Sequence, residues 1–122
     1  MSRYRLTDSA EVELGEILDW SESRFGVTAR DRYLALVLAA LRDIADDPHR
    51  KNAHWHRIGK SEIGVYHIAN SRDRIPSNRG CVAEPRHYVV FSLGDEDGIG
   101  VLGFVHERML LSRAFRRRLV QR

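Results

Sequence analysis

Tyr33-Leu-Ala-Leu-Val-Leu-Ala-Ala-Leu41 is apolar on nearly every side of a helix, and such a helix needs cover from more than one direction. Outward toward the N-terminus, Thr28 followed by Asp31 has the spacing of a capping box and opens this helix, which is expected to run to about Ala45 before Asp46-Asp47-Pro48. An earlier helix is read from Asp8, as N-cap with Glu11 three residues on, through Ala10, Leu14, Ile17, Leu18, Ser21 and Phe25 at helical spacing. Gly26 stands where a left-handed residue ends it. The short link makes the two helices an antiparallel hairpin. Tyr4–Thr7 is a short strand before them.

Beyond Pro48 the period changes. Ile63, Val65, His67 and Ala69 alternate with Glu62, Gly64, Tyr66 and Ile68, which predicts a strand. His87-Tyr-Val-Val-Phe-Ser-Leu93 and Gly100-Val-Leu-Gly-Phe-Val-His106 are two more, joined by a tight turn at Asp95-Glu-Asp-Gly98. Residues 49–60 read as a basic loop, and 70–85 as the longest connection. Leu110, Leu111, Ala114, Phe115 and Leu119 line one stripe of a basic amphipathic helix at the end. The order β-α-α-β-β-β(-α) predicts an α+β domain, an antiparallel sheet with the N-terminal helical hairpin packed on one face. The first strand must pair with a later one, because a lone strand leaves its backbone unsatisfied.

The 122 residues, 43% hydrophobic and 30% charged, suit a single domain over 1–122 rather than two small cores. One cysteine, Cys81, forms no internal disulfide and has no zinc-site spacing around it. No apolar run spans a membrane, and the first residues lack a signal core, so a reduced cytoplasmic protein is expected. The net charge of +3 hides a polarity. Residues 8–25 carry six acids against Arg24, residues 49–60 four bases and no acid, and residues 106–122 six arginines against Glu107. The basic segments suit a polyanion or an acidic partner. Six histidines (49, 54, 56, 67, 87 and 106) raise a metal reading, but no helical His pair or Cys pair supports it, and no metal or cofactor is expected. Tyr66, Tyr88 and Phe104 on strands leave a non-toxic nucleic-acid platform open as another reading.

The element order, the Asp-Asp-Pro ending of the second helix, and Val105-His106-Glu107-Arg108-Met109 after the last strand resemble the RelE/ParE superfamily of type II toxin–antitoxin toxins. Tyr4-Arg-Leu-Thr-Asp-Ser-Ala-Glu11, with Ile17 and Trp20, is similar to the ParE branch. Gly103 departs from the arginine that ParE-like last strands usually carry. The resemblance implies a toxin neutralised by a cognate antitoxin, with DNA gyrase as target on the ParE branch and ribosome-bound mRNA on the RelE branch. It implies contact with operator DNA only through the antitoxin.

The two branches ask different things of the residues. An endoribonuclease needs proton-transfer groups, here His106 and Tyr88, beside cations for the phosphate, here Arg57, Lys60 and Arg108. The last strand carries no charged side chain between Gly100 and Val105, which favours the ParE-like reading. A gyrase poison needs no catalytic group, only a surface, for which Arg108, Met109, Arg113, Arg116 and Arg117 are the candidates. Antitoxin contacts are expected at Leu34, Leu38 and Leu41 of the second helix, and at Tyr66 and Ile68 on an uncovered sheet face.

Overall fold

The computed structural model describes residues 3–75, 82, 84–94 and 98–110. Strand β1 (Arg3–Leu6) leads into helices α1 (Asp8–Phe25) and α2 (Val27–Asp46). Strands β2 (Ala53–Ile58) and β3 (Ser61–His67) follow, then a 3-10 helix over Ile68–Arg74. Strands β4 (His87–Leu93) and β5 (Gly98–His106) and a short α3 (Glu107–Leu110) complete the fold. The five strands form one sheet in the order β1-β5-β4-β3-β2, with β1 parallel to β5 and every other pair antiparallel. The expected α+β architecture is present, with α1 and α2 against one face of the sheet. The predicted basic C-terminal helix beyond Leu110, with Arg113, Arg116 and Arg117, lies outside the described residues, as do Cys81 and the centre of the β4–β5 turn.

Local details differ from the sequence reading in instructive ways. Thr7, not Asp8, caps α1: its hydroxyl accepts from the Ala10 amide at 3.1 Å. Gly26 alone joins the helices at φ 93°, a left-handed conformation that a side chain resists, and Thr28 lies inside α2 rather than capping it. Phe25 leaves the predicted stripe and stands 67% exposed, edge-on to Trp20. Strand β2, within the segment read as a loop, is an edge strand. Its polar His54, His56 and Arg57 face solvent, while Ala53 and Trp55 turn inward, so only two of its residues carry a core signal.

Strand β5 breaks strict alternation. Val90 pairs with Gly103 but Phe91 with Val101, so Leu102 is the extra residue of a bulge. The added residue resets the side-chain parity, and Ile99, Val101 and Phe104 all reach the helix-facing core. Helix α1 grips this irregularity. The Thr7 hydroxyl donates to the Leu102 carbonyl at 3.3 Å, and the Glu13 carboxylate accepts from the Phe104 amide at 3.4 Å. A Cβ at Gly103 would sit 2.6 Å from Glu13 Oε1, so the glycine that departs from the family pattern makes room for this contact.

The main core joins Leu36, Val37, Ala40, Leu41 and Ile44 of α2 to Tyr66, Val89, Phe91 and Val101 of the sheet. A second cluster, Ile63, Val65, Val90 and Val105 with Ile58, Tyr88 and Leu102 beside it, occupies the other face of the sheet. Asp43 is the polar group of the main core. Its carboxylate accepts from Ser71 Oγ at 2.6 Å and meets Arg50 at 3.3 Å and Arg74 at 3.1 Å, while Ser71 also bonds the Tyr66 hydroxyl.

Candidate functional site

Polar chemistry gathers where β3 and β5 end and β4 begins. The antiparallel pairings set His67 opposite Tyr88 and His87 opposite His106, and α2 adds Tyr33 from the covered face. The His67 and Tyr88 rings meet edge-to-face with centroids 4.6 Å apart, and those of His87 and His106 at 5.3 Å. His67 Nδ1 accepts from the Ala69 amide, so its other nitrogen carries the proton and donates to Glu107 at 3.2 Å. Arg86 bridges Glu107 at 2.8 Å and Glu84 at 2.7 Å. The Tyr33 hydroxyl donates to His87 Nδ1 at 2.5 Å and accepts from the Arg86 amide. His106 Nδ1 accepts from the Arg108 amide at 3.2 Å, which fixes the turn into α3.

Burial and these partners set the protonation states. Burial is the main force that pushes the Tyr33 hydroxyl up to about 12, opposed by the Arg86 amide that would favour the phenolate. Burial also pulls His87 down to about 4, helped by the neighbouring imidazoles of His106 and His67 and opposed by Glu107. The hydrogen bonds from Arg86 and then His67 hold Glu107 below the usual carboxylate range. The result is a neutral Tyr–His pair beside an ion-pair relay whose charges already satisfy one another.

His87 makes stability depend on pH in a set direction. The folded chain keeps it neutral, whereas the unfolded chain binds a proton near pH 6.5. Its contribution is therefore whole above that pH and is lost as pH falls toward about 4. After discounting for its partial exposure, the expected loss is about 2 kcal/mol. Urea unfolding at neutral pH and near pH 4.5 should show it, and His87→Asn, which keeps an acceptor for Tyr33, should remove most of the difference. An unchanged difference in that variant would refute the assignment.

The five residues of the endonuclease reading do not converge. His106, Tyr88 and Arg108 stand at the polar end just described. Arg57 and Lys60 lie at the opposite end of the sheet, beside a cavity of about 530 Å³ lined also by Ser61, Glu62, Ile63, Ser92, Leu93 and Leu102. Arg57 faces Glu62 across the β2–β3 ladder, five residues before His67. At roughly 3.4 Å per strand residue the two groups are about 17 Å apart, too far to share one phosphate.

The expected antitoxin contacts divide. Leu34 and Leu38 are half-buried along α2. Leu41, Tyr66 and Ile68 are fully buried, which corrects the expectation that they line an uncovered face. Tyr66 has the strand parity of the helix-facing core, and β3 stops at His67, so Ile68 belongs to the 3-10 helix tucked against α2. Tyr66 and Phe104 are likewise closed to base stacking. Arg108 is exposed and Met109 half-buried on α3.

Sequence reasoning singled out neither Tyr33 nor Arg86. A tyrosine opening an apolar run and an arginine just before a strand carry no local signal of their shared contact. Among the described residues no helix is long and apolar enough to cross a membrane, and no three His, Cys, Asp or Glu side chains are placed to hold a metal ion.

Compared with curated proteins, the chain finds no match. A family model described as the ParE toxin of the type II toxin–antitoxin system, parDE, matches residues 4–111. That match spans every described element from β1 to α3, including the bulged last strand and the His-x-Arg-Met turn that follows it, and it implies pairing with a cognate antitoxin: the chain belongs to the ParE toxin family of the RelE/ParE superfamily.

Proposed function

We infer that this toxin arrests growth by binding DNA gyrase and holding it on cleaved DNA, and that a cognate antitoxin in the same cytoplasm neutralises it. The observation that carries the reading is the separation of its chemistry. Proton-transfer groups sit at one end of the sheet, Arg57 and Lys60 at the other, and the arginine among the histidines, Arg86, is already held by two carboxylates. A site built to cleave RNA would put an acid, a base and a free cation around a single phosphate. A poison that traps an enzyme–DNA intermediate needs only a complementary surface. The exposed Arg108 and the half-buried Met109, at the start of the arginine-rich end, supply its described part, and Arg113, Arg116 and Arg117 extend it in sequence.

Purified gyrase tests this directly. Supercoiling should stall and linear, cleaved plasmid should accumulate when the toxin is added, and Arg108→Glu should reduce the effect about tenfold or more. Unimpaired supercoiling, together with mRNA cuts in codon register on ribosomes, would overturn it in favour of the RelE-like activity.

A further inference from the structure

We propose that the cavity between the β2–β3 hairpin and the ends of β4 and β5 is the docking site for an acidic amphipathic helix of the neutralising partner. This rests on the reading that another polypeptide silences the toxin. It places that contact on the sheet face opposite α1 and α2, away from the His67–Glu107 end.

Four observations fit together. Arg57 and Lys60 are exposed at the rim, and among the described residues neither is held by an ion pair. The floor is aliphatic, formed by Ile63, Leu93 and Leu102, and it continues through Ile63 and Leu102 into the second apolar cluster. Leu93 is 52% exposed, a large apolar side chain left in water beside two cations. The strands beneath are paired on both sides: β3 bonds β2 and β4, and β4 bonds β3 and β5.

The last point selects the shape of the occupant. An extended segment lying across these strands would find no backbone donors or acceptors and would strand its own on an aliphatic floor. A helix satisfies its backbone internally and brings an apolar stripe to Ile63, Leu93 and Leu102. From β2 to β5 the floor is about 14 Å wide at roughly 4.8 Å per strand, the length of nine or ten helical residues at about 1.5 Å each. Charge selects the sign. Glu62 lines the same cavity, so a nucleic-acid backbone, with one phosphate per nucleotide and no aromatic ring here for its bases, fits worse than a helix whose few carboxylates can be placed at Arg57 and Lys60 alone.

The probe is a capped, alanine-based helical peptide of about 14 residues, with three leucines on one face flanked by glutamates, titrated into the full chain. We expect binding, no binding by the same peptide with lysine for glutamate, and a loss of about tenfold or more in Arg57→Glu/Lys60→Glu and in Leu93→Glu. Amide shifts should concentrate at Lys60–Ile63 and Ser92–Leu93. No binding at about 1 mM, or shifts centred elsewhere, would overturn the proposal. So would an Arg57/Lys60-dependent affinity confined to a dodecathymidylate probe, which would make this a nucleic-acid surface. The binding readout does not involve gyrase, so failure here leaves the gyrase assay standing and failure there leaves this one.

Discussion

Gly64→Val is expected to lower the unfolding free energy by about 3 kcal/mol or more, the upper range for overpacking a closed core. Gly64 pairs with Phe91 across β3 and β4, and the Phe91 ring lies flat over the glycine. A Cβ built at position 64 would stand 2.5 Å from the ring's Cζ, with both Cε atoms within 2.9 Å. The ring cannot retreat. Phe91 is fully buried, and Trp55 packs edge-on against it with centroids 5.2 Å apart, itself tied to the Pro48 carbonyl by its indole N–H. Against a total stability of about 5–15 kcal/mol this is a large fraction. Thermal unfolding should show a fall of roughly 10 °C. Gly64→Ala should follow the same direction at smaller size. Phe91→Leu combined with Gly64→Ala should cost less than the two changes added, because the shorter side chain vacates the clash. Strict additivity would show that ring and glycine are not coupled.

The second large effect is expected at Asp43. Asp43→Ala should destabilise the fold by about 3 kcal/mol, because it leaves Ser71 and Tyr66 without their buried acceptor and removes the partner of two guanidinium groups. The arginines contribute the smaller part. Arg74 is 63% exposed, so solvent screens its attraction, and Arg74→Ala alone should cost under about 1 kcal/mol. Asp43→Asn preserves an acceptor for Ser71 and should cost about half as much as alanine. Denaturant titrations of the three variants give the ordering. Equal losses for Arg74→Ala and Asp43→Ala would mean that the ion pair, not the hydrogen-bonded network, fastens α2 to the 3-10 helix.

Much of the fold was legible because it rests on periodicity and end signals. The all-round apolar run of α2, the alternation of β3 and β4, and Gly26 between the helices each depend on a few neighbouring residues, and each element stands close to where its pattern puts it. Strand β2 was hidden because an edge strand with one solvated side carries half the apolar pattern of an inner one. The bulge at Leu102 was hidden because alternation counts residues, while the sheet counts hydrogen-bonded pairs. The candidate site was legible only in pieces. His106 and Arg108 stand out after an apolar strand, and Arg57 and Lys60 in a basic run. Nothing along the chain says that about 17 Å of sheet separates the two groups, or that Tyr66 and Ile68 face inward.

From its sequence alone this protein is an α+β toxin-like domain with an acidic helical hairpin and an arginine-rich end, since helix, strand and charge pattern are local properties. The tertiary structure decided which side chains meet. Strand register paired His67 with Tyr88, the bulge set the inward face of β5, and burial made His87 neutral and Asp43 a fastening point. Register, parity and burial are relations between residues far apart in the chain, and they take values only when the sheet closes against its helices.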